Sequence, residues 1–454
     1  MNVLKFGGTS MGDENTWRRV LDIINGYETP VVVVSATAHT TRQLLAAADK
    51  ALENLEQARQ ISHSIKNRHH QLIDQFLNDS HHPQKADIQQ SCTNRINKII
   101  EILDKRLQDI ASTKKISPKN KDAIASLGEQ LSAYLLARCG KAYGLKTRWV
   151  DVRQIIKTDS NFGQANPDFQ QITQSINLLH KEIKHGTVPV LGGFYGENYK
   201  GEITTLGFEG SDYTASLLGA ALQAKAIEIW TDVSGIYTCD PNVVQHSRPI
   251  SQLSFQEATE MAYFGAKVLH PCTMKPAAAA DIPIIVKNIF EADHPGTKIH
   301  NQQTRNGWAK AITYLSDITI LTITSNGSMK GYQFLAQVFK RLHENGISVN
   351  AVTTTEASVS VALQANFNMQ ILQQDFEDIG SVNRNPTQGL ISLIGCRFDT
   401  AESINQYIFS AIPEAKPSLI SYSKTKQNLC IAVSETELIP AVCRIHDSLF
   451  GEGG

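Results

Sequence analysis

Four short stretches of the chain combine glycine, positive charge and polar caps in a way suited to phosphate chemistry. Lys5-Phe6-Gly7-Gly8-Thr9-Ser10 lies at the end of the first strand-like run. Its paired glycines let the backbone approach a ligand and aim amides at phosphate oxygens, and the adjacent lysine offers a mobile positive charge to a transferring phosphoryl group. It is not a Walker A loop, because no G-x-x-x-x-G-K-[ST] occurs. Gly207-Phe208-Glu209-Gly210-Ser211-Asp212 precedes a helix-forming stretch, Tyr213 to Leu222, with Ser211 or Asp212 expected at the cap. Free amides at such a helix start form an anion site. Trp230 to Pro241 is a polar loop after a strand, with Tyr237 suited to cover a nucleobase. Phe264-Gly265-Ala266-Lys267-Val268-Leu269-His270-Pro271 adds a second lysine beside a glycine. Together these features can hold a triphosphate; singly, each is also what an ordinary turn or cap looks like.

The elements that must position these residues follow from periodicity. Val31 to Val34, Val188 to Leu191, Ile227 to Trp230 and Ile282 to Val286 read as strands, mostly apolar on both faces. Such strands suit a largely parallel sheet between helical layers, which binds ligands beyond its carboxyl ends. Residues ~45–125 carry Gln, His, Lys and Leu at helical spacing and read as a helical excursion from that sheet. A Pro-Gly turn at Asp293-His294-Pro295-Gly296-Thr297 marks a boundary. After it, strand–helix–strand–strand occurs twice, closing with a helix opened by Ser434-Glu435-Thr436-Glu437, a capping-box spacing. That is the half-pattern of ferredoxin-like modules, either ligand-binding or purely structural. The expected division is 1–300, 315–385 and 388–450.

Composition narrows the function classes. The 454 residues carry 43 Lys and Arg against 44 Asp and Glu, a net charge of −1. A chain so balanced lacks the basic surplus of a nucleic-acid binder or a membrane-surface binder. No apolar run approaches the roughly 20 residues that span a bilayer, and the opening residues lead to no expectation of a secretory signal. The 7 cysteines are scattered, odd in number and without a C-x-x-C pair, which points to reduced thiols in a cytoplasm. His69-His70 and His81-His82 do not read as metal ligands, since adjacent side chains on a helix point in different directions. No protein metal site is expected.

With these residues in hand, the chain resembles the aspartate kinases (aspartokinases). Lys5–Ser10, Gly128-Glu129-Gln130-Leu131-Ser132, Leu206-Gly207 with Gly210-Ser211-Asp212-Tyr213, Trp230–Pro241 and Phe264–Pro271 match that family's motifs in order. Residues 316–450 resemble its paired ACT domains. The resemblance implies an α/β amino-acid-kinase fold followed by two α+β ferredoxin-like ACT domains. It implies transfer of the ATP γ-phosphoryl group to the β-carboxylate of L-aspartate, giving 4-phospho-L-aspartate at the entry to lysine, threonine and methionine synthesis. Lys5 and Asp212 take the catalytic positions. Gly7, Gly8, Ser35, Thr231, Asp232, Tyr237 and Lys267 fall to the nucleotide, and Thr41, Glu129 and Ser211 to aspartate, with Glu129 on its ammonium. Mg²⁺ arrives with ATP, mostly on phosphate oxygens and water. Ser348, Val349, Asn350, Thr354, Thr355 and Glu356 fall at the effector position of the first ACT domain, with lysine the first candidate ligand and threonine the second. A homodimer or larger assembly through the ACT domains is also implied. Nothing follows Phe450 but Gly451-Glu452-Gly453-Gly454, so no fused homoserine dehydrogenase is expected.

Four departures from the family pattern matter. The usual Gly-Arg-Gly-Gly-Ser-Asp reads with Phe208 and Glu209. In the stretch Ser35 to Arg42, His39 replaces a small residue and Arg42 an asparagine. Asn242 replaces an arginine, and Asn350 an aspartate. Losing a charged hydrogen bond costs about 1.5–3 kcal/mol, so Phe208 implies a weaker grip on aspartate unless Arg42 supplies the missing guanidinium. Arg42 therefore joins the expected substrate-binding set. The competing readings are an amino-acid kinase with another acidic substrate and a catalytically weak ACT-domain regulatory subunit.

Overall fold

The computed structural model describes residues 1–78, 80, 82–266, 269–302, 309–364, 367–395, 402–413, 416–423 and 428–451. The chain forms two compact units, Met1–Ile236 with Leu269–Gln302, and Tyr237–Val268 with Gln303–Gly454. Lys267 and His81 lie outside the described residues.

The first unit is built on strands β1 (Asn2–Phe6), β2 (Val31–Val34), β3 (Thr147–Trp149), β4 (Val188–Gly192), β5 (Ala226–Thr231), β6 (Ile284–Asn288) and β7 (Thr297–His300). They lie in the order β7-β6-β5-β1-β2-β4-β3. All neighbours are parallel except β7, which runs antiparallel to β6. Every residue of β2 is fully buried, as a central strand covered on both faces requires. Helix α1 (Glu14–Asn25) starts at a capping box in which Asp13 accepts the Thr16 amide and Thr16 Oγ1 accepts the Asp13 amide. Its Trp17, Val20, Leu21 and Ile24 face the core at i, i+3, i+4 and i+7.

The expected helical excursion is present as α2 (Thr40–Glu53), α3 (Leu55–Asn78), α4 (Lys85–Thr113) and α5 (Pro118–Ala125), followed by α6 (Leu127–Ala142). Ile65, Leu72, Phe76, Ile96, Leu103 and Leu107 bury into the same core as β1 and β2. Helices α7 (Gly210–Ala221) and α8 (Pro271–Ala279) complete the parts used below; the Ala277 amide of α8 donates to Ser216 Oγ of α7.

The second unit holds a sheet of β8 (Ala311–Ser325), β9 (Val349–Thr354), β10 (Ser358–Gln364), β11 (Gly380–Ile394), β12 (Leu419–Ser423) and β13 (Asn428–Ser434), ordered β9-β10-β8-β11-β13-β12. Helices α9 (Gly331–Glu344), α10 (Met369–Phe376), α11 (Glu402–Ala411) and α12 (Glu435–Phe450) belong to it. Two hydrophobic cores lie within it. Leu321, Ile323, Phe334, Val338, Val361 and Phe376 form one. Ile312, Ile391, Leu393, Ile431, Leu438 and Ile445 form the other.

Two sequence expectations are corrected here. The stretch 237–268 does not stay with the first unit, as a 1–300 division supposed. Cys239 and Val244 pack in the core with Ile312 and Ile391, and the Ile312 amide donates to the Thr238 carbonyl. Nor do the two modules divide at 385–388. Strands β8 and β11 each run through both: Ala311 to Leu315 pair with Ile394 to Leu390, while Ile320 to Ser325 pair with Asn385 to Gly380, across a register shift near Ile318. The second module thus begins at Ala311, in the gap that the expected division leaves between 300 and 315. The Ser434 side chain makes no cap bond; its hydroxyl pairs with Thr436 Oγ1 at 2.9 Å.

Candidate functional site

Lys5 sits on the central strand β1, paired with Val33 of β2 on one side and Ile229 of β5 on the other. The chain leaves the sheet at Gly7, whose amide donates to the Trp230 carbonyl. Ser10 Oγ donates to that same carbonyl at 3.3 Å. A Cβ at Gly7 would lie 3.5 Å from Lys5 Nζ, so the lysine tip curls back over the glycine turn. Lys5 Nζ is 2.8 Å from Asp212 Oδ1, with the two side chains 8% and 10% exposed. Asp212 lies in the first turn of α7. The cap of α7 is Glu209, not Ser211 or Asp212 as expected, and Glu209 makes no side-chain cap bond.

Glu209 is held in the left-handed region at φ 52°, and its carboxylate accepts the backbone N–H of His270, just ahead of α8. Burial pushes the Glu209 carboxyl up; the His270 amide pulls it back, nearby Asp212 adds to the rise, and Lys5 opposes it. Phe208 beside it is 80% exposed, its ring edge-on to His270 with centroids 6.2 Å apart. His39 at φ 65° and Phe194 at φ 76° are also left-handed, so three strained non-glycine residues lie on loops at the carboxyl edge of this sheet. Strain of that kind costs about 1–3 kcal/mol a residue and clusters where geometry serves function.

On the other side of the glycine turn lies the loop 35–39. A Cβ at Gly8 would lie 3.7 Å from the Ala36 carbonyl. Ser132 Oγ of α6 donates to the Ser35 carbonyl at 2.7 Å. Glu129, in the first turn of α6, is 4% exposed. Burial pushes its carboxyl up to about 8, against the pull of its own amide and that of Ala36. Its Oε2 has no partner among the described residues. A buried carboxyl with an open oxygen at the edge of a glycine turn is a candidate ligand-binding group.

Thr41 and Arg42 lie in the first turn of α2, Thr41 half-buried and Arg42 exposed and without an ion pair among the described residues. Thr231 Oγ1 donates to Asp232 Oδ1 at 3.1 Å at the end of β5. The first unit therefore brings together Lys5, Gly7, Gly8, Ser35, Glu129, Ser211 and Asp212 at the carboxyl ends of β1, β2 and β4. Tyr237 begins the second unit, and Lys267 lies outside the described residues.

Sequence reasoning missed Gly192 and Gly193. A Cβ at Gly192 would meet the Glu129 carbonyl at 2.7 Å, and one at Gly193 would meet the Ser211 Cα at 2.6 Å. Only glycine lets the end of β4 touch both Glu129 of α6 and Ser211 of α7. The signal is present as paired glycines after an apolar strand, the same signal that marks Gly7-Gly8.

In the second unit, Val349 and Asn350 are half-buried at the start of β9, and Ser348, Thr354, Thr355 and Glu356 are exposed. Thr355 Oγ1 is engaged in its own hairpin, accepting the Ser358 amide at 3.0 Å and pairing with Ser358 Oγ at 2.8 Å. A Cβ at Gly331 would lie 3.0 Å from the Glu356 carbonyl, so the start of α9 closes on this hairpin. The edge strands β9 and β12 are tied by hydroxyls: Thr353 Oγ1 donates to the Ile420 carbonyl and Ser421 Oγ to the Val352 carbonyl, each at 3.0 Å.

Among the described residues no group of three or more His, Cys, Asp and Glu side chains is placed to hold a metal ion. No helix among them is long and apolar enough to cross a membrane.

Residues 1–288 match the amino acid kinase family. The chain is 33% identical over 468 residues to lysine-sensitive aspartokinase 3 of Escherichia coli K12, covering 99% of each protein. It is 33% identical over 477 residues to the chloroplastic aspartokinase 1 of Arabidopsis thaliana, covering 99% of this chain and 80% of that one. The crystal structure of E. coli aspartokinase III with aspartate and ADP, its R state, has a TM-score of 0.80 at 32% identity and covers 99% of this chain and 100% of that one. The T-state structure with lysine and aspartate has a TM-score of 0.77, again at 32% identity, covering 99% of each chain.

Proposed function

The chain belongs to the aspartokinases, and we propose how its own residues divide the work of that activity. It is an aspartate kinase: the ATP γ-phosphoryl group passes to L-aspartate, and the product is 4-phospho-L-aspartate. A β-carboxylate oxygen forms the new bond to phosphorus, the bond from phosphorus to the β,γ-bridging oxygen breaks, and ADP leaves with that electron pair. The carboxylate is already a nucleophile, so no proton need be removed. What the site must supply is positioning and charge neutralisation.

Lys5 neutralises the transferring group, and Asp212 holds the lysine in place. The observation that carries this assignment is their buried pair over the glycine turn. Gly7 and Gly8 admit the phosphates, with Ser35, Thr231, Asp232, Tyr237 and Lys267 as the remaining nucleotide contacts. Glu129 takes the aspartate ammonium on its open Oε2, Ser211 and Thr41 contact the substrate, and Arg42 replaces the guanidinium absent at Phe208. Magnesium travels with ATP on phosphate oxygens and water, and supplies further neutralisation of phosphate charge.

The effector site is Ser348, Val349, Asn350, Thr354, Thr355 and Glu356, with lysine ahead of threonine as ligand. Exposed polar groups on a hairpin with the α9 start closing on it support this reading. The working form is a homo-oligomer assembled through the second unit, in the cytoplasm.

A coupled assay of ADP release tests the activity. Aspartate should drive turnover and glutamate should not. Equal rates with both would assign another acidic substrate, and no release with either would leave an ACT-domain regulatory subunit.

A further inference from the structure

Beneath the loop that joins β2 to α2 runs a line of polar groups that the reaction itself does not use. Arg68 and His69 come from α3, in the middle of the helical excursion. The Arg68 guanidinium donates to the Ala38 carbonyl at 2.7 Å and to Thr40 Oγ1. Thr40 Oγ1 lies 2.5 Å from Thr37 Oγ1, and Thr37 Oγ1 lies 2.8 Å from His69 Nε2. His69 Nδ1 meets the Ile65 carbonyl at 2.7 Å. Thr37, Thr40 and His69 are 3%, 1% and 1% exposed, so water does not complete these bonds.

The chemistry of the two ends fixes every proton between them. A guanidinium only donates, and a carbonyl only accepts. His69 Nδ1 therefore carries the ring proton. In the neutral ring Nε2 must then accept, so Thr37 donates to it. Thr37 is left to accept, from Thr40 and at 3.5 Å from the Arg68 guanidinium itself, and Thr40 to accept from Arg68. Burial pushes the His69 imidazole down to about 4, the Ile65 carbonyl opposes this, and the charges of Arg68 and His70 add to it. The loop is thus pinned at residues 37, 38 and 40, around His39 with its left-handed backbone. The Ala36 amide, one residue earlier, reaches the Glu129 carboxylate. Thr41 and Arg42 follow one residue later.

We infer that α3 sets the shape of the aspartate pocket through this one-way chain from Arg68 to Ile65, with His69 as a positioning residue that never touches substrate. The inference rests on the assignment of Thr41, Arg42 and Glu129 to aspartate. On this reading the helical excursion holds a strained substrate loop from below.

The test is steady-state kinetics of the full-length protein with aspartate and ATP varied separately. His69→Leu and Thr37→Val should each raise the aspartate KM about 10-fold, the scale of one buried hydrogen bond, with the ATP KM changing less than about twofold. The double variant should be no worse than the worse single, because either change breaks the same chain. His69→Gln, which keeps an acceptor toward Thr37, and Thr37→Ser, which keeps the hydroxyl, should recover most of the loss. Should His69→Leu fail to fold, Thr37→Val against Thr37→Ser carries the comparison alone. An unchanged aspartate KM in the broken variants, or losses that multiply in the double, would overturn the inference. Glu129→Gln separates the two failures. If it raises the aspartate KM while the chain variants do not, only the positioning role is lost; if none of them does, the pocket assignment falls too.

Discussion

The two units handle their functional polar groups in opposite ways. In the first, Lys5, Glu129, Ser211 and Asp212 are all less than 10% exposed, and the charges are already paired or left with one open atom. In the second, Ser348, Thr354, Thr355 and Glu356 face solvent on a hairpin, and Thr355 satisfies itself locally. The contrast fits the division of work proposed above. Stabilising a moving phosphoryl charge needs donors fixed in a low-dielectric place before the substrate arrives. Sensing an amino acid needs groups that change partners when ligand or another subunit covers them, and exposed hairpins open and close at low cost.

The largest effect should come from breaking the buried pair. Lys5→Ala should lower turnover at saturating substrates by about 1,000-fold or more, the scale of losing one key charge stabiliser. It should also leave Asp212 buried and unpaired, at a cost of about 3–5 kcal/mol in stability. Thermal melting of Lys5→Ala against Lys5→Ala with Asp212→Asn checks this: the double variant should melt higher than the single.

The open oxygen of Glu129 sharpens the contrast next. A carboxyl pushed up to about 8 is mostly protonated at pH 7 and cannot grip an ammonium well. Aspartate kcat/KM should therefore rise roughly tenfold per unit as pH climbs toward 8, and Glu129→Gln should flatten that rise. The stability sign is opposite. A carboxyl raised on folding contributes stability that is full below its unfolded value near 4.5 and is lost as pH rises through about 8. Saturating aspartate should offset that loss, measured as a melting shift at pH 8.

Arg42 comes third. Its Ala variant should raise the aspartate KM by roughly 10-fold, the scale of one charged hydrogen bond, and leave the ATP KM little changed. With no ion pair for its guanidinium among the described residues, the variant's stability should move by less than about 0.5 kcal/mol. Arg42→Asn combined with Phe208→Arg should recover part of the KM. Glu209, next to the new arginine, hinders this rescue little, because its carboxylate is engaged with the His270 amide.

On the solvent-facing side the effects should be smaller. Asn350→Asp should move half-inhibition by lysine several-fold lower, since it restores a negative charge for an ammonium; inhibition curves with lysine, threonine and both would read it. Thr355→Ala should cost about 1 kcal/mol of unit stability through its lost turn bonds.

Much of the candidate site's framework is legible in sequence because it obeys local rules. A lysine before paired glycines and strands apolar on both faces announce themselves, whereas the start of α7 does not, its cap being Glu209 rather than Ser211 or Asp212. What is illegible is non-local. Trp230 to Pro241 reads as one loop, yet the chain passes from one compact unit to the other between Ile236 and Tyr237. Strands β8 and β11 read as single-module strands, yet each serves two modules, which only the register reveals. His69 does not read as a metal ligand, and its place on the apolar stripe of Ile65, Leu72 and Phe76 gives no hint that its ring reaches a threonine 32 positions away.

The most direct test of the catalytic assignment is to trap the product with hydroxylamine and identify the hydroxamate by mass spectrometry. Wild-type protein with ATP and L-aspartate should give the β-hydroxamate, and Lys5→Ala, shown by equilibrium binding to retain ATP, should give almost none. Comparable β-hydroxamate from Lys5→Ala, or ATP-dependent ADP release by the wild type without any hydroxamate, would contradict it.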